Sequence, residues 1–514
     1  MSVLPAIPTW IASTSIGRTA PHDLSEAGFK PVTPITGAGY STADIGPAYA
    51  GGGFVASFSN RRYVLTTDMV CNGTFAIEIR ASNVLIDLNG HTITYFNTPG
   101  PVSGSSDFSK CGIWANVSAS VQGNIEIVNG YLEQSAGDVT NTPTMGYGRG
   151  ANAIRMDSLY NLAGKTIYYR GLHIRHRAKY AGAVNHYNVS DPTVLMEYCT
   201  VIDEGNQVYL RTNQHAHVAL DSFNNPTEIR YCRIVNARQC ATRAKLVHHN
   251  EILVDTWWTN GCGVLLMNLS GARVYSNNIY VIGTHPQGAF VRDCTNPWIY
   301  DNWIESKFTR PGELLPSPTG DIDNVQNRAS GITFRFGDDS GLQVYNNTMI
   351  AWAEDNSVIH PVTGELYDAE ARGVFYFKYP TATLANNRFY NNLIAALNVD
   401  GTASAMALGL SGNATALSFD ANRIVANHTH FWLMDIYGAG YGLTGNPVIG
   451  TGNVIERVDA HSAYRTMRHN GGPSETVTAT FNANHWRGGA WPVTTSNFGS
   501  GHAITYIDEP GSVA

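Results

Sequence analysis

Residues 331–347 read GITFRFGDDSGLQVYNN. Three other stretches echo that opening: GVLLM from Gly263, GAFVR from Gly288 and GVFYF from Gly373. Each is followed, after a polar gap, by a second strand-like run that ends in or near Asn. One and three places past the Gly, every copy is apolar: Val264 and Leu266, Ala289 and Val291, Ile332 and Phe334, Val374 and Tyr376. Period two marks an extended strand with one buried face. The alternate positions then point outward: Leu265 and Met267, Phe290 and Arg292, Thr333 and Arg335, Phe375 and Phe377. The segment QCATR fits the same frame and puts Arg243 at the fourth place. One strand pattern recurs because like strands stack, and Arg335 stands where Arg292 stands because the two are expected to be neighbours on adjacent repeats.

A second recurring strand supports this. The runs TVLMEYCTVI (193–202), TEIRYCRIV (227–235), LVHHNEILV (246–254), RVYSNNIYVI (273–282), WIYDNWIES (298–306), LQVYNNTMIA (342–351), TLANNRFYN (383–391) and LSFDANRIVA (417–426) all read apolar, polar step, apolar. Their register positions are taken as Cys199, Cys232, Asn250, Asn278, Asn302, Asn347, Asn387 and Asn422. Asn in such a turn tolerates left-handed backbone, and its amide can satisfy neighbouring backbone groups, so a structural Asn stack is expected. The segments 83–96 and 124–134 alternate in the same manner.

Composition agrees. The chain has 514 residues, 51 of them Gly, and only 14% are charged. This is β-rich and turn-rich. A net charge of -7 argues against a general nucleic-acid binder. The seven Cys show no CxxC pair, which speaks for buried free thiols over a zinc site or disulfide framework. No apolar run is long enough for a membrane span, and the N-terminal stretch lacks the pattern of a signal peptide. An extracellular or virion-surface location, reached by another route, is expected.

The stretch YVLTTDMVCNGTFAIEIRASNVLIDLNGHTI (63–93) resembles the opening turns of right-handed parallel β-helix repeat proteins of the pectate-lyase-like superfamily, and FNANHW (481–486) resembles a terminal motif of such proteins. The resemblance implies an all-β, single-stranded right-handed parallel β-helix over residues 61–456. An N-terminal arm or cap (1–60) and a C-terminal cap (457–514) would protect its open ends. That superfamily includes polysaccharide lyases and phage tailspike depolymerases. It implies a polysaccharide partner, a homotrimer and the possibility of Ca2+, although no metal ligands can be assigned. The entry motif common in tailspikes and the motif of mannuronan epimerases are both absent.

The outward row of Arg243, Arg292, Phe290 and Phe375 has three readings: a polysaccharide surface, a subunit interface, or a face beneath a long loop. The order Lys307 then Arg335 looks like the lyase pattern of a Lys after one strand and an Arg in the next similar strand. Hydrolysis would need two carboxylates, for which any pair of Asp293, Glu305, Asp338 and Asp339 could serve; Asp338 and Asp339 also suit a plain turn. In RGLHIRHRAKY (170–180), alternation puts Leu172 and Ile174 on one side, and His173, Arg175 and Arg177 on the other, where Lys179 extends a basic stripe. His215 and His217 share a face without an evident third metal ligand. Carboxylates in two insertions, including Glu313, Asp321, Asp323, Glu354, Asp355, Glu365, Asp368 and Glu370, could wall a groove. The function expected is recognition and cleavage of an acidic polysaccharide, by β-elimination or hydrolysis. A non-catalytic adhesin or structural virion protein is the alternative.

Overall fold

The computed structural model describes residues 16–96, 111–115, 123–135, 152–157, 164–177, 182–187, 192–203, 218–221, 227–237, 240–256, 261–283, 285–308, 328–335, 337–353, 358–359, 366–367, 370–378, 385–398, 404–412, 417–427, 434–438, 448–457, 467–471, 480–482, 484–487 and 505–507. Among them the regular structure is strand, apart from one 3-10 turn at Pro47–Tyr49. The chain divides into two units, residues 24–254 and residues 255–514 with 1–23.

Both units are built alike, from three strands that recur and pair in parallel with their counterparts in the next repeat. In the C-terminal unit, ladder A holds Arg273–Tyr275, Trp298–Tyr300, Gln343–Tyr345, Asn387–Tyr390 and Leu417–Asp420. Ladder B holds Asn278–Gly283, Trp303–Phe308, Thr348–Ala353, Leu393–Asn398 and Arg423–Ala426. Ladder C holds Cys262–Met267, Gln287–Arg292, Arg328–Arg335, Glu370–Lys378 and Ser404–Gly412. In the N-terminal unit, ladder A includes Thr193–Glu197, Thr227–Arg230 and Leu246–His248, and ladder B includes Thr200–Asp203, Arg233–Ala237 and Glu251–Thr256. Ladder C there includes Phe75–Ile79, Cys111–Ala115, Ile154–Asp157 and Val184–Tyr187. This arrangement is consistent with an all-β parallel solenoid. The ladders run past both edges of the 61–456 span: Ser41–Ile45 pairs with Arg61–Leu65, and His485–Arg487 pairs with Val454–Arg457.

The recurring Gly has a steric cause. All eight apolar positions of the four Gly-led copies are fully buried. The Gly itself faces ladder B at a distance no side chain fits. A Cβ on Gly288 would lie 2.0 Å from Ile304 Cγ2 and 2.5 Å from the Gly331 carbonyl oxygen. On Gly331 it would lie 2.6 Å from the Gly373 carbonyl oxygen. The equivalent places in the N-terminal unit hold Ala76, Gly112, Ala153 and Ala183.

The turn from ladder A to ladder B has one residue in the left-handed region: Ser276, Asp301, Asn346, Asn391 and Ala421, with φ between 51 and 56°. The next residue is the stacking Asn. Asn277, Asn302, Asn347, Asn392, Asn422, Asn453 and Asn484 form one continuous chain of amide-to-amide hydrogen bonds. Two expected positions are therefore corrected, Asn278 to Asn277 and Asn387 to Asn392. In each case an Asn–Asn doublet or a second Asn turn concealed the register. Asn278 instead opens a ladder B strand, and Asn387 braces a different turn by accepting from Leu342 N at 3.0 Å.

Residues 18–36 of the N-terminal arm bind side chains of the repeats. In the C-terminal unit, Thr348 Oγ1 accepts from Arg18 N at 2.8 Å and donates to Arg18 O at 2.7 Å, and Asn278 holds both backbone groups of His22. In the N-terminal unit, Asn129 holds both backbone groups of Val32, and the buried Glu126 accepts from the N–H groups of Ile35 and Thr36. Each two-point contact fixes one peptide of the arm without any strand pairing. Six cysteines, Cys71, Cys111, Cys199, Cys232, Cys262 and Cys294, are buried thiols outside any disulfide, as expected.

Candidate functional site

Ladder C of the C-terminal unit carries the Gly-led copies. Phe290, Thr333 and Phe375 are paired in register, and Arg335 is paired with Phe377. The same register puts Arg335 level with Arg292. Leu265, Thr333 and Phe375 are buried, although they point outward. The expected open aromatic surface is thus narrower, and Phe290, Arg292 and Arg335 are its half-buried members.

Arg292 Nε donates to Asp293 Oδ2 at 3.1 Å. Asp293 has φ 54°, and its Oδ1 accepts from Asp338 N at 3.1 Å. Gly337 fits beside it because a Cβ there would stand 1.7 Å from Asp293 Oδ1. Both Asp293 oxygens therefore hold a turn together. Asp338 is exposed, while the buried Asp339 accepts from Cys294 N at 2.7 Å. This bonding is that of a plain turn.

Arg243 does not sit at the fourth place. It pairs with Asp221, and Ala241 occupies the small-residue column, so Arg243 lies two places past it. It is 4% exposed. In the 170–180 segment, Leu172 and Ile174 are buried and His173, Arg175 and Arg177 face outward, half-buried. Arg175 lies across from Glu133, and Arg177 N donates to Gln134 Oε1 at 2.8 Å. Phe29 of the arm packs on Tyr131 and His173 at ring distances of 5.1 and 6.2 Å. The basic stripe is thus shared with an acid and partly covered. Lys179, His215, His217 and the insertion carboxylates other than Glu370 lie outside the described residues.

Glu305 and Lys307 both leave the outer face of the ladder B strand Trp303–Phe308, two places apart, whereas Ile304, Ser306 and Phe308 fill the interior. Lys307 and Arg335 therefore stand on different ladders, not on successive strands of one. Likewise Glu305 is on ladder B, whereas Asp293 and Asp338 belong to the turn after ladder C. Glu305 is 3% exposed and Lys307 is 6% exposed. Around them Trp303, Ile350, Trp352, Leu393, Ala395, Leu397 and Val425 form an apolar cluster. Trp303 Nε1 donates to Glu305 Oε1 at 2.6 Å, and Trp352 Nε1 donates to Oε2 at 3.4 Å. Burial pushes the Glu305 carboxyl above its ordinary range, and the two indole bonds oppose that rise without cancelling it. Such a group holds a proton more readily than an exposed carboxyl and can deliver it.

Three features escape the sequence reading. The indole partners of Glu305 are one. The Arg372–Glu370 pair, 2.9 Å apart with the guanidinium 4.5 Å from the Phe375 ring, is another. The third is a row of four stacked rings on ladder A, Tyr275, Tyr300, Tyr345 and Tyr390, each 4.9 Å from the next. Its signal was in plain view: a Tyr stands two places before four of the stacking Asn, Asn277, Asn302, Asn347 and Asn392. Among the described residues no cluster of three or more His, Cys, Asp or Glu could hold a metal ion, and no helix is long and apolar enough to cross a membrane. No family model, curated protein or solved structure matches the chain.

Proposed function

We propose that this chain is a right-handed parallel β-helix protein that binds an acidic polysaccharide and cleaves it. The right-handed course follows the rule for parallel strands joined by crossovers. Binding is supported by Arg292 and Arg335, which stand level on neighbouring strands of ladder C with Phe290 beside them. Two guanidiniums at strand spacing suit carboxylates repeated along a polymer. The observation that carries cleavage is Glu305, a buried carboxyl that burial pushes above its ordinary range and that two indoles aim. Its role is that of proton donor to the leaving glycosidic oxygen. Lys307, on the same face, is the cation nearest to it along the strand.

The test is a panel of uronate polysaccharides, assayed together for new reducing ends and for the ultraviolet absorbance of unsaturated ends. Reducing ends without absorbance mean hydrolysis, and both together mean β-elimination. Either activity should be lost in Glu305→Gln. Silence on the whole panel by a folded protein would overturn the cleavage reading in favour of a non-catalytic adhesin or structural virion protein. A virion-borne or extracellular homotrimer fits either outcome, and sedimentation analysis tests the trimer.

A further inference from the structure

The outer face of ladder A in the C-terminal unit is a strip of half-buried and exposed side chains, unlike the buried outer face of ladder B at Glu305 and Lys307. Two columns cross it. One is the ring row Tyr275, Tyr300, Tyr345 and Tyr390, with planes within 6° of parallel. The other, two places earlier on each strand, is Arg273, Trp298, Gln343 and Arg388. Trp298 is 39% exposed, and among the described residues it is the exposed large apolar side chain of this unit. Its ring is held, not loose: the Arg273 guanidinium lies 4.1 Å from its centre, and Arg273 Nη1 donates to the carbonyls of Ala272 and Asn296 at 2.9 Å each. Arg388 is more than half exposed, and its contact with Asp420 is a loose 3.4 Å.

We propose that this strip is a second binding site for an extended anionic polysaccharide, separate from the ladder C and Glu305 region. It rests on the reading of the protein as one that binds such polymers. The chemistry of the strip fits that one occupant. A fixed, exposed indole offers apolar contact to the C–H face of a sugar ring. The Tyr row and Gln343 offer hydrogen bonds to hydroxyls, repeated at the strand spacing. Within its column Arg273 and Arg388 supply two cations and no acid, which complements a polymer carrying carboxylates. A chain laid across the strands meets one such set per repeat. Several weak contacts held on one polymer add as avidity, so the site would keep the protein on its substrate between cuts.

The test uses the full chain in the Glu305→Gln background, so that no polymer is cut during the measurement. Native gels cast with polygalacturonate, alginate or hyaluronan measure retardation, with dextran as the neutral control. Retardation by at least one anionic polymer is expected, weakened roughly tenfold by Trp298→Ala and by Arg388→Gln, and largely kept by Trp298→Phe. Arg388→Gln alters only an exposed side chain, so it keeps the test open if Trp298→Ala misfolds. Retardation unchanged in both variants would overturn this site while leaving polysaccharide binding elsewhere intact. No retardation of the parent by any polymer would overturn this site and the binding reading together. A drop in oligomer mass on Trp298→Ala, seen by light scattering, would also overturn it by showing the strip to be an interface between copies.

Discussion

Asn302 donates from its side-chain amide to Asn347 Oδ1 at 2.9 Å, and its backbone N–H reaches the same oxygen at 3.0 Å. Asn347 in turn donates to the carbonyls of Ile299 and Tyr345 and to Asn392 Oδ1. One buried side chain thus satisfies groups in three successive repeats. Asn347→Ala takes a partner from two donors and three acceptors. The Asn302 amide keeps the Val274 and Tyr300 carbonyls and Asn392 Oδ1 keeps the residue 347 N–H, so three groups lose that partner in a site closed to water, at a net cost of about 1 kcal/mol or more each. The expected loss is about 3 kcal/mol or more in denaturant unfolding. A loss below about 1 kcal/mol would mean that the stack is a by-product of the strands and not what holds the turn.

Gly288→Ala should be comparably damaging for a different reason. Its Cβ would meet Ile304 Cγ2 at 2.0 Å and the Gly331 carbonyl oxygen at 2.5 Å. The first contact is with a side chain and the second with backbone. Adding Ile304→Ala removes only the first, so the double variant should remain less stable than Ile304→Ala alone, by about 1–3 kcal/mol. Equal stability of the two would show that the backbone contact relaxes and that the Gly is dispensable.

Much of this architecture was legible. Period two gave the buried partners of Gly263, Gly288, Gly331 and Gly373, and the inward pair Leu172 and Ile174, because alternation dictates direction. It does not say what covers an outward side chain. Thr333 and Phe375 leave their strands outward as expected and are nevertheless buried, and so are Glu305 and Lys307 on the outer face of ladder B. Frames one or two places off also hide in low-complexity positions. In Asn277–Asn278 only the geometry tells the stacking Asn from the one that clamps His22, and in QCATR only the pairing with Asp221 shows that Ala241 takes the small-residue place. Trp303 and Glu305, two apart on one strand, were readable as a same-face pair. The second indole, Trp352, lies one repeat and 47 residues away and was not.

The stack changes chemistry in the N-terminal unit, where Cys199 and Cys232 take the Asn position. Cys232 Sγ lies 3.7 and 3.2 Å from the Met196 and Arg230 carbonyls, which its single S–H serves where an amide would bring two N–H donors. A thiol has no oxygen to offer the preceding repeat. Cys232→Asn, similar in volume, should therefore add a strong acceptor for Cys199 N and an amide donor for Asn250 Oδ1, raising stability by about 1 kcal/mol. Burial also holds the Cys232 thiol well above its usual range and the Cys111 thiol at about 12. Neither should react with an anionic aromatic disulfide at neutral pH until the chain is unfolded. Destabilisation by Cys232→Asn would show that this turn is shaped for sulfur.

Glu305 makes stability depend on pH with a definite sign. Burial raises its folded-state carboxyl above the ordinary carboxylate value, so in the window from that value upward the folded chain holds a proton that the unfolded chain has released. Stability contributed by the neutral carboxyl is complete below that window and declines as pH rises through the folded-state value, where the charged form must sit in an apolar cluster. Glu305→Gln stays neutral and can still accept from an indole, so it removes this decline. The difference in unfolding free energy, variant minus parent, should grow as pH rises above the ordinary carboxylate range and level off once the folded-state carboxyl has ionised. Growth in the opposite direction would show that the two indoles favour the carboxylate more than burial opposes it, and Glu305 would then be a fixed anion with no proton to give.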